Sequence, residues 1–460
     1  MVIIASLLIL VYFFFTGFVL RNTYLGRPVY ILLYVTCFLP FYTIFQIIIL
    51  NAFDNVFLVN LIKYSKDFVF ISSFLIFIFG LNKAFFQKTY SFTLLDKMIT
   101  SFMLLTLVYL IIPLGEATFI SKIIYSKNIF LIGITYFFGR KTMFNPKSWK
   151  TILNILIGLI IISFLVAFIE NTLVFHLHSL IGYADYHMVV NDIDPQGNFG
   201  LNWSFESQGA VPRYAGFFAD PLEFSASLIL FFSIALWYFI HSEISRNRVI
   251  YFGLILLVIF SFSFASSRAS MIASVLVLIF ALFISKNYKI LFIGFSVLIF
   301  SLAYLFFYAS EETRYLFQDT LTFQNSSSIG HLFEWIQGVL SIYENPFGVG
   351  LAMSGNASGV DQSIKIGGEN QFLIYGVQMG VIALILYLSI LIKSIWNSIK
   401  LYTKSSNINY KSVGFISGLT KLGLLVPLFT ANAELYLFVA FFSWYLVGQV
   451  ETLYNSEELN

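Results

Sequence analysis

The sequence predicts an all-α fold, a polytopic bundle of transmembrane helices. Three observations carry that expectation. Hydrophobic side chains make up 59% of the 460 residues and charged ones only 11%, where a soluble domain carries roughly 25% charge. Mean hydropathy is +0.86. The apolar residues are also gathered into stretches of about 20, the length a helix needs to cross a bilayer. So little charge cannot cover a water-facing surface of this size. A soluble enzyme, a disordered chain and a nucleic-acid binder are therefore excluded. The net charge of +3 is too small to specify an anionic partner. The only cysteine, Cys37, lies in an apolar run. No disulfide framework or thiolate metal site is expected from it.

A sliding length of about 20 residues gives about thirteen spans. They lie near residues 1–20, 28–50, 66–82, 98–114, 120–139, 151–171, 215–240, 249–265, 269–285, 288–308, 369–395, 412–431 and 434–449. The first twenty residues lack a basic n-region and an A-x-A site, so they read as a span and not as a removable signal. The eighth and ninth spans are divided at Ser266, Ser267 and Arg268. An arginine at mid-membrane is costly, so a tight turn is expected there. The whole of 1–460 reads as one integral-membrane domain.

Orientation follows from the positive-inside rule. With the first residue outside, 17 of the 26 lysines and arginines fall in inner loops, among them Arg140, Lys141, Lys147 and Lys150. Two long loops then face outward, 172–214 and 309–368. Long ordered loops are usually functional. The first is rich in Gly, Asn and Asp. The second carries Glu311, Glu312 and Arg314, then an amphipathic helix expected near 330–343. There Leu332, Phe333, Ile336, Val339, Leu340 and Tyr343 form a helical stripe, with Glu334, Gln337 and Ser341 opposite. Asn345-Pro346-Phe347-Gly348 ends that helix as a turn.

Three polar sites stand at the outward ends of spans. Arg213 precedes Gly216-Phe217-Phe218-Ala219-Asp220-Pro221-Leu222-Glu223. Asp220, Pro221 and Glu223 fit the N-cap, first and third positions of a capping box. Arg213 has no such structural task. Arg268 stands in Ser266-Ser267-Arg268-Ala269-Ser270, where the serines can cap a helix. Glu369 and Asn370 follow Gly367-Gly368, a pair that permits close backbone approach by a ligand. A carboxylate such as Glu369 also suits a helix N-terminus. The seventh, ninth and eleventh spans all run inward, so their positive ends gather on the outer face. Helix N-termini with two arginines suit a phosphate or diphosphate.

Other polar residues have plainer readings. His331 and Glu334, three apart, are placed to pair. His176, His178 and His187 match no zinc signature. Lys421 and Glu434 lie in or near the last spans, where an ionisable residue marks function by default. No metal or cofactor is expected.

In their order, these motifs resemble the O-antigen polymerase and ligase superfamily of bacterial integral-membrane glycosyltransferases. The arginine precedes Gly-Phe-Phe-x-Asp-Pro, and Ser-Ser-Arg-Ala-Ser opens a later span. Trp335, Asn345-Pro346-Phe347-Gly348-Val349-Gly350 and Glu369-Asn370-Gln371-Phe372 follow. The resemblance covers roughly 210–395 in detail. It implies that Arg213 and Arg268 engage the diphosphate of an undecaprenyl-diphosphate-linked glycan. Glu369, then His331, are the candidate bases. Asn370, Arg314, Asp220 and Glu223 are assigned to substrate binding. The ligase branch usually has His-Asn where this chain has Glu369-Asn370, which tilts the reading toward a Wzy-type polymerase. Two further departures are His331, where polymerases often have arginine, and Leu222 after Asp-Pro, where asparagine is common. The implied donor and acceptor are lipid-linked repeat units at the outer face of the inner membrane. Membrane lipid and a chain-length regulator are the implied partners. A ligase, and from another class a flippase or other transporter, are the alternatives.

Overall fold

The computed structural model describes residues 2–79, 92–207, 211–286, 288, 292, 326–357 and 359–458. It is an all-α polytopic membrane protein. The elements are α1 (Val2–Tyr24), α2 (Val29–Phe38), α3 (Tyr42–Phe53), α4 (Val56–Phe79), α5 (Leu94–Ile111), α6 (Phe119–Lys141) and α7 (Pro146–Leu173). Short α8 (Leu177–Leu180) and α9 (Tyr183–Asn191) follow, then α10 (Pro221–His241), α11 (Ser245–Ala265) and α12 (Arg268–Ile284). The last are α13 (Ser326–Glu344), α14 (Gln371–Lys404), α15 (Ile408–Thr430) and α16 (Leu437–Glu458). The described strands are one two-residue pair, Glu206–Ser207 against Val211–Pro212. Helices dominate because each satisfies its own backbone polar groups, which lipid cannot do.

Every expected span except the tenth has a helix. That one, 288–308, lies outside the described residues, as do Glu311, Glu312 and Arg314. Among the described residues, nine helical segments are long and apolar enough to cross a membrane. α12 is apolar but shorter. The second expected span is divided, because Pro40 sits in a 3₁₀ turn, Leu39–Phe41, between α2 and α3. Ser266 adopts φ +46 and separates α11 from α12, as the tight-turn reading requires.

α10 is the centre of the bundle. It is buried without a break from Phe224 to Trp237, with α11, α12, α15 and α16 around it. The outer helices keep one apolar face bare. α1 exposes Ile3, Ile4, Leu10, Val11 and Phe14 while packing Ala5, Tyr12 and Val19 inward. Such a surface suits lipid contact.

α14 is interrupted at Gly380, which adopts φ +78. The turn after α13 fills the gap. Val349 N donates to Val377 O (2.8 Å), Gly350 N to Gln378 O (3.1 Å), and Val381 N to Pro346 O (2.9 Å). A side chain at 380 would meet Pro346 O at 2.4 Å. The Gln378 side chain closes the same seam, donating to Tyr125 OH (2.7 Å) and accepting from Ala352 N (2.7 Å).

Candidate functional site

The N-terminal ends of α10, α12 and α14 meet at one cavity of about 780 Å³. That volume suits a small-molecule or headgroup ligand. α13 and the α15–α16 connection complete the wall. Arg213, Asp220, Glu223, Arg268, His331 and Glu369 all line it. Chain segments far apart in sequence thus deliver the predicted polar residues to one place. Leu39, Ile272, Val426, Pro427 and Leu437 supply an apolar side.

Arg213 is fixed by its backbone, whose N–H donates to Phe205 O (2.8 Å) beside the two-stranded pair. Its Nε is buried and has no hydrogen-bond partner among the described residues. Burial, then the nearby Arg268, push its guanidinium pKa down. An unmet buried donor next to a like charge is a place where an anion gains most. Asp220 is the N-cap of α10, accepting from Glu223 N (2.7 Å). Burial pushes its carboxyl pKa up.

Four sequence expectations need correction. Glu223 does not close a capping box on Asp220 N; its Oε1 accepts from Phe438 N (3.2 Å) and so joins α10 to α16. Ser267 is the N-cap of α12 but makes no side-chain cap bond, its Oγ lying 3.5 Å from Ser270 Oγ. His331 does not pair with Glu334. It pairs through Nδ1 with Oε2 of Glu369, and Glu334 takes Lys365 Nζ at 3.4 Å. The double glycine makes room for protein: a side chain at Gly367, which adopts φ +58, would meet Glu334 O at 2.8 Å. That close approach lays 365–369 along α13 and brings Glu369 to His331. Glu369 itself stands one residue outside the helix. Asn370 is the N-cap of α14, accepting from Phe372 N (3.0 Å) and Leu373 N (3.2 Å). It does not line the cavity.

Charge sets the state of the pair. The hydrogen bond to Glu369 raises the imidazole pKa of His331 above its ordinary value, against the opposing effect of burial.

Further wall residues escaped the sequence reading: Trp335 as a cavity residue, Asn356, Asn432 and Tyr436. Asn432 ties the wall together. With its amide turned to satisfy both ends, its nitrogen donates to Gly368 O (2.9 Å) and its oxygen accepts from Asn356 N (2.7 Å). The polar run Asn432-Ala433-Glu434 between two apolar spans was the available signal.

The remaining ionisable residues have structural surroundings. His176, His178 and His187 pack on aromatic rings, with His176 stacked on Tyr214 at 5.0 Å and His187 tilted against Tyr183 at 4.1 Å. Burial pushes the His178 pKa down to about 3 and the His187 pKa to about 4. Lys421 Nζ lies 3.6 Å from the centre of the Trp444 ring. The indole of Trp444 donates to Glu434 (2.7 Å), as does Tyr387 OH (2.5 Å).

Fold and site together define an integral-membrane protein with a part-apolar, two-arginine cavity at the shared ends of its helices. Residues 264–388 match the family model described as O-antigen ligase, so this segment is similar to that family. Members of the family are glycosyltransferase-like enzymes with lipid-linked glycan substrates. No curated protein matches the chain. The matched segment holds Arg268, α13 and the start of α14. Arg213 and Asp220 precede it, and Asn432 follows it.

Proposed function

We propose that the chain polymerises lipid-linked oligosaccharide repeat units, transferring glycan from undecaprenyl diphosphate to a sugar hydroxyl of another lipid-linked unit. One observation carries this. Arg213, with its unmet donor, and Arg268 line the same cavity as a paired His331 and Glu369.

In the reaction, the acceptor oxygen attacks the anomeric carbon of the donor sugar. The bond from that carbon to the diphosphate breaks, and undecaprenyl diphosphate leaves with the electron pair. Charge grows on the leaving oxygen, where the two guanidiniums and the helix N-termini lower its energy. With His331 Nδ1 donating to Glu369, Nε2 is left to take the acceptor proton. Glu369 then acts by orienting the imidazole and stabilising its charged form, in the manner of a triad carboxylate. The apolar wall would hold the first part of the lipid tail. Asp220 and Glu223 would shape the diphosphate end. The site would face the outer side of the inner membrane, with loops 172–214 and 309–368 around it. A chain-length regulator is the expected partner.

A ligase differs only in its acceptor, and the matching family description favours it. The glutamate at 369, where ligases usually carry histidine, favours the polymerase. Replacing Arg213 and Arg268 singly by Ala in the native host, and resolving surface polysaccharide on a gel, tests the reading. A polymerase loses the ladder and leaves core with a single repeat unit. A ligase accumulates lipid-linked polymer. A flippase retains precursors inside. Unchanged ladders in both variants sink the arginine assignment.

A further inference from the structure

Resting on the reading above, we infer that Trp335 is the platform for the acceptor sugar. Trp335 and His331 are four apart on α13, so they share a face, with the indole about 6 Å along the axis from the imidazole. Both line the cavity. The indole Nε1 is buried and has no hydrogen-bond partner among the described residues. A buried donor left open is costly unless a ligand satisfies it. A sugar hydroxyl does so, because its oxygen accepts. An aromatic face beside such a donor also suits the apolar face of a pyranose ring.

Asn356 and Asn432 also line the cavity. Lys365 Nζ bridges Asn356 Oδ1 (2.8 Å) and Glu334 Oε1 (3.4 Å). In this proposal the diphosphate binds at Arg213 and Arg268 and the sugar at Trp335. A ring resting on Trp335 presents a hydroxyl to His331 one helical turn away, which sets which hydroxyl is glycosylated.

The test uses the purified full chain in lipid nanodiscs. The probe is the repeat-unit oligosaccharide released by mild acid from the lipid fraction of the native host and tagged with a fluorophore. It carries neither diphosphate nor tail. The wild type binds it, and Trp335→Leu weakens binding about tenfold or more. Trp335→Phe keeps an aromatic face but loses the N–H and part of the ring area, so it weakens binding a few-fold and melts as the wild type does. The double variant Arg213→Ala/Arg268→Ala keeps oligosaccharide affinity and loses affinity for undecaprenyl diphosphate. Equal affinity in wild type and Trp335→Leu overturns the platform, and so does a wild type that does not bind the probe. A double variant that still binds undecaprenyl diphosphate overturns the arginine reading alone.

Discussion

Two arginines of this chain differ in one respect that separates structure from chemistry. Arg140, at the end of α6, is buried and answered: its Nε donates to both oxygens of Asp96 (3.3 Å each) and its Nη1 to Thr452 Oγ1 (3.2 Å). Asp96 is also held by Tyr136 OH (2.6 Å) and closes the capping box of α5 with Thr93. This knot ties α5, α6 and α16 together. Arg213, at the other face, keeps a buried Nε with no described partner. Buried charge is tolerated when matched, and an unmatched donor is retained where a ligand completes it. The first arginine belongs to the fold, and on the proposed reading the second belongs to the substrate.

The contrast can be broken by exchange of loss. Arg140→Ala leaves Asp96 uncompensated, so it should cost about 3–5 kcal/mol of stability, read as a lower melting temperature in detergent. Arg213→Ala should leave melting unchanged and cut product formation about 10²–10³-fold, the usual effect of removing a preorganised charge donor. If Arg213→Ala melts early and Arg140→Ala does not, the assignment is reversed. Tyr387→Phe removes one of the donors to buried Glu434. It should lower stability by about 1–3 kcal/mol with activity retained in the folded fraction.

The smallest effect is one of pH. Because Glu369 raises the His331 pKa, the charged pair is fully formed below the ordinary imidazole pKa. It is lost as pH rises through the raised value. The imidazole can accept a proton only above that value, so activity should rise through it. Glu369→Gln removes the cause, and the acidic limb of the rate profile should move to lower pH. A limb that stays in place excludes His331 as the base.

Most of the helices were legible because hydropathy over a bilayer thickness is a strong signal. Arg213, Arg268, Asp220 and Glu369 were legible because a polar residue at the end of an apolar run is conspicuous. The partners were not. Spacing suggested His331 with Glu334, and the fold supplies Glu369 instead, because Gly367 lets a distant strand of backbone lie on α13. Glu223 likewise fits a capping box by spacing, yet reaches the start of α16. Local patterns identify which groups are polar. Which of them meet depends on packing between helices far apart in sequence, as Asn432 and Trp335 show.

The interruption of α14 works as a buckle. Its hydrogen bonds lie about 10–14 Å along that helix from its start, and they are made by the chain that leaves α13. Lifting α13 away from the cavity would pull Val349 and Gly350 out of α14 and strand carbonyls in a medium without water, at several kcal/mol each. The wall bearing His331 and Trp335 is therefore latched to the mid-depth of the bundle.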